Sequence, residues 1–120
     1  MNRYLEVADT FHRKYGATGQ QTPSLDFSED FKEFRIQLMR SEFDEVCQDI
    51  RAGDTKNLAK EFADIMHGLC GTIVEFGCQH IFDEVVEEVF RSMTKDVVPD
   101  GRKALKGVSY TPASVDRFFT

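Results

Sequence analysis

Residues 60–68 read KEFADIMHG, and they lie in a run where apolar side chains recur every three or four positions. This spacing predicts an α-helix with one apolar face. Two features weaken that helix. Glu61 and Asp64 are like charges one turn apart and repel each other, and Gly68 and Gly71 each cost about 1 kcal/mol relative to alanine. A helix that keeps both costs indicates a use for its acidic, glycine-bearing face.

The helical spacing continues over most of the chain before residue 95, and the alternation typical of strands is absent. Residues 17–26 are rich in turn formers and predict a loop. After residue 95 the chain has two prolines, two glycines and no helical period, which predicts an irregular tail. We predict four helices: from about Tyr4 to near Gly16, from a cap at Ser28 to about Ala52, from a cap at Asp54 or Thr55 to Phe76, and from about His80 to Lys95.

Together these elements predict an all-α fold, an antiparallel four-helix-type bundle with an irregular C-terminal tail. The 120 residues suit a single domain, with the bundle over about residues 1–95 and the tail over about 96–120. The third and fourth helices also carry apolar residues outside one narrow stripe. We therefore expect a homo-oligomer, either a homodimer or a homotetramer.

The charge of the chain narrows the classes of partner. The formal net charge is -6, with acidic residues spread throughout, so a nucleic-acid polymer is not an expected partner. A ligand that carries phosphates remains compatible if metal ions bridge the two negative partners. The chain has no run of eighteen apolar residues, so we predict no membrane-spanning helix. The charged N-terminus does not resemble a signal peptide. We expect a cytoplasmic protein.

Acidic residues share one face on each of two neighbouring helices. Glu42, Glu45 and Asp49 lie together on the second helix, and Glu61 and Asp64 lie together on the third. Such residues are either solvated surface charges or, where antiparallel neighbours bring them together, a site for a hard cation such as Mg²⁺ or Mn²⁺. The apolar sides carry Ile36, Met39, Phe43, Val46, Cys47 and Ile50 on the second helix and Leu58, Phe62, Ile65, Met66, Leu69 and Ile73 on the third.

Three cysteines, Cys47, Cys70 and Cys78, lie in or beside apolar helical runs without a CxxC pair. We interpret them as reduced, mostly buried thiols. The alternative is a zinc site, although the close paired spacings of structural zinc modules are missing. Its ligands would be His67, Cys70, Cys78 and His80.

The acidic motifs and the C-terminal part resemble the all-α nucleoside triphosphate pyrophosphohydrolases, which include MazG-like proteins and phosphoribosyl-ATP pyrophosphohydrolase. That family carries EExxE on one helix and ExxD on the next. Here SEFDE (residues 41–45) and EFAD (residues 61–64) occupy those places. Further on, FDEVVEEVFRSMTK (residues 82–95) and DGRKALKGVSYTPA (residues 100–113) are similar to the family segments FDEVHRSNMSK and DGKVLKGPNYxPP.

This resemblance implies hydrolysis of a nucleoside triphosphate between the α- and β-phosphates, giving the monophosphate and pyrophosphate. Mg²⁺, with Mn²⁺ as a substitute, would be the cofactor, and water would be the nucleophile. The MazG-like tail favours house-cleaning of the nucleotide pool. The implied metal ligands are Glu42, Glu45, Glu61 and Asp64, and the candidate catalytic bases are Glu42, Glu45 and Asp49.

Substrate contacts are expected from the last third of the chain. Positive side chains there are candidates for phosphate binding, or else form a solvated basic tail. Tyr110 either stacks on a base or packs in the ordinary way, and Ser92 stands where the family has asparagine. His67 lies near Asp64 and is either an interior residue or a contact of the site. The candidate cations are Lys95, Arg102, Lys103 and Lys106.

Two departures from the family pattern favour a second hypothesis. Ser41 replaces the first glutamate of EExxE, and Ser92 replaces the asparagine of SNMSK. A catalytically weakened helical module that binds nucleotide or a partner protein is therefore the alternative to an active enzyme. The number of metal ions and the preferred base and sugar stay open at this point.

Overall fold

The structure is a computed structural model and describes residues 1–15 and 20–119. These residues are mostly helical, which confirms the all-α prediction. They form two compact units, residues 1–80 and 81–120, which are described separately below. The elements are α1 (Arg3–Lys14), α2 (Glu29–Ala52), α3 (Thr55–Glu75), α4 (Phe82–Thr94), β1 (Val97–Asp100), β2 (Lys103–Lys106) and a short 3₁₀ helix (Asp116–Phe119).

The helix boundaries follow from capping side chains. The Ser28 hydroxyl accepts from the backbone N–H of Phe31 at 3.1 Å, and Asp54 accepts from the N–H of Asn57 at 3.1 Å. Both predicted caps are confirmed, because each side chain satisfies a backbone donor that the first helical turn leaves without a partner. Gly53, with φ of 71°, ends α2 in the left-handed conformation.

The start of the predicted loop over residues 17–26 lies partly outside the described residues, as does the predicted helix end at Gly16. Residues 20–26 form neither helix nor strand. The end of α3 holds this segment: the N–H of Ser24 donates to the carbonyl of Phe76 at 2.9 Å. At Gly77, with φ of 76°, an added Cβ would collide with the carbonyl of Thr22. Glycine is therefore required where the two segments meet.

In the first unit, α2 and α3 are antiparallel neighbours. Asp49 contacts Asn57 near the connecting turn, whereas Arg35, four turns earlier on α2, contacts Thr72 near the far end of α3. Helix α1 packs on α3 through the His12–Glu75 contact. The buried apolar side chains of this unit are Leu5, Ala8, Val46, Cys70, Ile73 and Val74.

Much of the apolar side predicted for α3 is exposed, whereas its acidic, glycine-bearing side is largely buried. Phe62 and Met66 are 51% and 46% exposed, whereas Glu61 is only 6% exposed. Gly68 and Gly71 are buried as well. The acidic, glycine-bearing face packs against the neighbouring helices because the glycines let side chains from those helices approach the α3 backbone.

The second unit corrects the prediction of an irregular tail. Strands β1 and β2 form an antiparallel hairpin in which Val97 pairs with Lys106 and Asp100 with Lys103. Gly101, with φ of 59°, starts the two-residue turn. Strands of four residues are too short for alternation to show in the sequence, which is why the helix-oriented analysis missed them.

A buried carboxylate ties the end of the chain to α4. Glu88 is 8% exposed, pairs with Arg91 at 2.8 Å and accepts from the N–H of Ser114 at 3.1 Å. Arg117 also reaches it, at 3.3 Å. The hydrogen bonds from Arg91 and Ser114 lower the pKa of Glu88 to about 2, so this carboxylate stays ionised.

Candidate active site

Four of the predicted acids meet where α2 and α3 face each other, and we call this cluster the acid groove: Glu42, Glu45, Glu61 and Asp64. Glu42 packs its carboxylate directly on the backbone of Gly68. A Cβ at position 68 would lie 3.0 Å from the carboxyl carbon of Glu42, 3.1 Å from its Oε1 atom and closer still to Oε2. The space that Gly68 leaves is therefore taken by an acidic side chain of the protein itself.

Glu61 of α3 lies close to Glu45 of α2. Burial raises the pKa of Glu61, and the nearby carboxyl group of Glu45 raises it further. The acids of α2 and α3 therefore converge, as the antiparallel arrangement predicts.

Asp64 is partly exposed and pairs with a lysine from its own helix. Lys60 Nζ lies 3.1 Å from Asp64 Oδ2 and 3.5 Å from Glu61 Oε1. The hydrogen bond with Asp64 raises the pKa of Lys60. A cation of the protein thus already occupies the outer edge of the acid groove.

The pKa of Glu42 responds to several charged side chains around the groove. Burial raises its pKa, and Asp64 raises it further, with a smaller effect from Glu61. His67 and Arg35 oppose this rise by favouring the ionised carboxylate. Since like charges accumulate here in partial burial, the groove is an arrangement that a bound cation would relieve.

Two carboxylate oxygens of the acid groove are buried without a hydrogen bond within the described residues. Glu42 Oε2 and Glu61 Oε2 are buried and find no hydrogen-bond partner among the residues that the structure describes. Buried polar atoms without partners are uncommon in folded proteins and often mark a place for an ion or water. Carboxylate oxygens are also the donors that Mg²⁺ and Mn²⁺ prefer. The donor set therefore fits a hard cation.

Nevertheless, a finished metal site is not present. Within residues 1–15 and 20–119, no group of three or more His, Cys, Asp and Glu side chains is placed so that it could hold a metal ion. In the acid groove, Lys60 holds Asp64 and approaches Glu61, so a cation would require Lys60 to move aside. The zinc alternative also receives no support. Its proposed ligands were His67, Cys70, Cys78 and His80.

The cysteines agree with the interpretation as free thiols. Cys70 is buried and Cys47 and Cys78 are partly buried, and none of them forms a disulfide. Burial raises the pKa values of Cys70 and Cys78, which keeps both thiols protonated.

Asp49 differs from the other predicted acids in its hydrogen-bond partner. Asn57 donates its side-chain amide to Asp49 Oδ2 at 2.8 Å, close to the turn between α2 and α3. This bond gives Asp49 a partner that Glu42 Oε2 lacks. Asp49 therefore sits at the end of the groove beside the turn.

His67 is exposed and borders both the groove and a neighbouring hollow. Its ring meets Phe11 edge-on at 5.4 Å, and its proximity lowers the pKa of Glu42. The hollow, a cavity of about 220 Å³ between α1 and α3, is lined by Arg3, Tyr4, Val7, Ala63, Met66 and His67.

A buried polar network beside the acid groove was missed by the sequence analysis, which found no pattern around His12. His12 Nδ1 lies 2.5 Å from Glu75 Oε1. Arg35 Nη2 donates to the Thr72 hydroxyl at 2.7 Å. A Cβ at Gly71 would lie 2.9 Å from His12 Nε2 and 3.2 Å from Arg35 Nη2. The one signal in the sequence was the glycine inside the helix.

The predicted substrate residues belong to the second unit. Ser92 is buried and donates its hydroxyl to the carbonyl of Val89 at 2.7 Å. Lys106 Nζ lies 4.7 Å from the centre of the Tyr110 ring, a cation–π contact. The other cations, Lys95, Arg102 and Lys103, are exposed. Their role in substrate binding stays a prediction.

Antiparallel helices with facing acid pairs, in a mostly helical chain, define an all-α protein with a groove of clustered carboxylates. The family model for phosphoribosyl-ATP pyrophosphohydrolase matches residues 8–93 of the chain. The protein belongs to this family, which confirms the resemblance found in the sequence. Membership indicates a hydrolase with nucleotide pyrophosphohydrolase-type activity.

A comparison with curated proteins finds no match. Among the described residues, no helix is both long enough and apolar enough to span a bilayer.

Proposed function

We propose that the protein is a Mg²⁺-dependent nucleoside triphosphate pyrophosphohydrolase that cleaves between the α- and β-phosphates. The products are the nucleoside monophosphate and pyrophosphate. The observation that carries this proposal is the pair of buried, unpartnered oxygens on Glu42 and Glu61, which come from two helices of one groove. Membership of the phosphoribosyl-ATP pyrophosphohydrolase family supports the reaction type.

The residues that would hold the metal ion are those of the acid groove: Glu42, Glu45, Glu61 and Asp64. When bound, Mg²⁺ or Mn²⁺ neutralises phosphate charge and makes water more acidic. The protein's contribution is to bring the carboxylates together before the ligand arrives, at the cost of raising the pKa values of Glu42 and Glu61.

A carboxylate of the groove would also accept the proton of the attacking water. A general base works best when its pKa lies near the working pH, and burial moves the pKa of Glu42 upward in that direction. Its Oε2 atom has no competing partner among the described residues. Glu42 is therefore favoured over Asp49, whose carboxylate already accepts from Asn57, with Glu45 as the remaining candidate.

Substrate binding is proposed for side chains of α4 and the hairpin. Exposed cations suit the negative triphosphate, and Tyr110 offers an aromatic face to a base. Ser92 stays a candidate only because it stands where the family has asparagine, since its hydroxyl is buried and donates to Val89. The cations are Lys95, Arg102, Lys103 and Lys106. We further propose nucleotide-pool house-cleaning by a cytoplasmic homodimer or homotetramer.

A nucleotide panel tests the proposal. Pyrophosphate release would be measured for ribo- and deoxynucleoside triphosphates and for phosphoribosyl-ATP, with Mg²⁺, with Mn²⁺ and with EDTA. We expect turnover of at least one nucleotide that EDTA abolishes. Folded protein that releases no pyrophosphate from any of them would rule out the enzyme.

Two observations favour a second candidate, a helical module that binds nucleotide or a partner without turnover. Lys60 pairs with the acids where a metal ion is expected, and Ser41 replaces a family glutamate. Calorimetric titration of the same nucleotides separates the two, since binding without pyrophosphate release is the result expected of the module alone.

A further inference from the structure

The buried guanidinium of Arg35 lies beside the acid groove without belonging to it. We propose that Arg35 is a positioning residue that holds the Glu42 carboxylate on Gly68, in the place from which it binds the metal ion. This inference rests on the proposed function, because Glu42 is a metal ligand only there.

Arg35 and Glu42 approach the same residue of α3. Arg35 Nη2 lies 3.5 Å from the carbonyl of Gly68, while the Glu42 carboxylate packs on the open side of the same glycine. Both residues lie on α2, seven positions apart, which is two helical turns and puts them on one face. Arg35 and Glu42 therefore reach the same glycine of α3, where their opposite charges influence each other without a direct hydrogen bond.

Thr72 fixes the direction in which Arg35 points. Its hydroxyl donates to the Gly68 carbonyl at 3.0 Å and accepts from Arg35 Nη2 at 2.7 Å. Because the hydroxyl proton is committed to Gly68, a lone pair faces Arg35. The guanidinium is thereby anchored to the α3 turn against which Glu42 packs.

Among the residues described, Arg35 has a buried donor without a partner, and Glu42 has a buried acceptor without a partner. Arg35 is 7% exposed, and its Nε atom, like Glu42 Oε2, is buried without a hydrogen-bond partner in the described part of the chain. A buried cation is costly unless negative charge compensates it. Burial lowers the pKa of Arg35, and the negative charges of Glu75 and Glu42 oppose this effect, so both acids are near enough to compensate the guanidinium.

A purely structural role for Arg35 is the competing explanation. In that case Arg35 neutralises Glu75 and holds the helices together, and its loss lowers stability without changing metal affinity. Removing the charge would not separate the two roles, since a nearby positive charge also repels a metal ion. Arg35→Lys avoids this problem, because lysine keeps the positive charge and loses the planar, forked set of donors of the guanidinium.

The test compares Arg35→Lys and Thr72→Val with Arg40→Lys, a matched change at an exposed position of α2. Mn²⁺ affinity would be measured by electron paramagnetic resonance, at a temperature where circular dichroism shows each protein folded. Residues that orient metal ligands typically contribute 10–100-fold to affinity, so we expect about a tenfold loss for Arg35→Lys. A smaller loss is expected for Thr72→Val and none for Arg40→Lys.

Wild-type Mn²⁺ affinity in both Arg35→Lys and Thr72→Val, with or without lower thermal stability, would overturn the positioning role and leave the proposed function intact. If Arg35→Lys does not fold, Thr72→Val decides by the same criterion, since it leaves the guanidinium in place. Failure of the wild-type protein itself to bind Mn²⁺ would overturn the metal site, and the positioning role with it.

Discussion

Lys60 is the residue that most directly opposes a metal ion in the acid groove. It lies within ion-pair distance of both Asp64 and Glu61, although its own side chain is 66% exposed. Exposed ion pairs contribute little to stability. Lys60 is therefore an internal counter-ion, and the proposed divalent cation would have to displace it.

Replacing Lys60 by glutamine should strengthen Mn²⁺ binding a few-fold, because the metal ion no longer competes with an ammonium group. Thermal stability should change little. Lys56→Gln, an equal loss of charge at an exposed position of the first turn of α3, is the control for the change in net charge. Titration of Mn²⁺ by electron paramagnetic resonance gives both affinities, and weaker binding in Lys60→Gln would refute the displacement.

The double change Glu61→Gln with Asp64→Asn should abolish metal binding and leave the metal-free protein equally or more stable. The reason is the removal of like charges that burial makes unfavourable. Thermal melts with and without Mg²⁺ measure both effects. A large loss of stability in the metal-free variant would show that these acids are structural.

Opposite pKa shifts predict a stability maximum in mildly acidic solution. The pKa values of Glu42 and Glu61 are raised above 4.5, so the folded protein binds more protons and its free energy of unfolding falls as pH rises through those values. Glu88, lowered from 4.5 to about 2, contributes stability that is lost as pH falls from about 4.5 to 2. Melting temperatures from pH 3 to 8 would show the maximum, and Glu61→Gln should flatten its alkaline side. An alkaline side that stays unchanged in this variant would contradict the role of Glu61.

At the scale of the element, helix α3 explains which parts of the site the sequence could predict. Spacing of three and four put Glu61 and Asp64 on one face, and Asp54 marked the start of the helix. The packing of that face depends on neighbours far along the chain. Glu75, for example, meets a histidine 63 positions away, a contact that no local pattern contains.

The two glycines of α3 give a matched prediction. Gly68→Ala should keep the fold, because alanine favours a helix by about 1 kcal/mol and the obstructing Glu42 carboxylate can turn away. Its Mn²⁺ affinity should fall, since that carboxylate is displaced. Gly71→Ala should lower thermal stability instead, because the new Cβ meets the buried His12 ring and Arg35. Equal effects of the two changes on both quantities would contradict this assignment.

At the scale of the whole molecule, the helices and the family were predictable and the tail was not. Four helices have periodic patterns over twelve residues or more. Each strand spans only four residues, and Glu88 binds a segment some twenty-six positions further on. Contacts at such separations are set by charge pairing in the folded chain, which spacing along one helix does not reveal.

Replacing Glu88 by glutamine should release the C-terminal segment from α4, because Arg91, Ser114 and Arg117 all lose part of their partner. Hydrogen exchange in residues 111–119 should become faster. Glu87→Gln, at the exposed neighbouring position, provides the control. Unchanged exchange in the Glu88 variant would show that other contacts hold the segment.

The raised pKa values of Glu42 and Glu61 have a thermodynamic consequence for any cation that binds both carboxylates. Such a cation binds the deprotonated groups, so it displaces any proton they hold into solution and its apparent affinity rises with pH. The measured heat then includes the ionisation enthalpy of whatever buffer takes the proton up. Titrations of Mn²⁺ in phosphate and in Tris should therefore give different heats at one pH, and that difference counts the protons released.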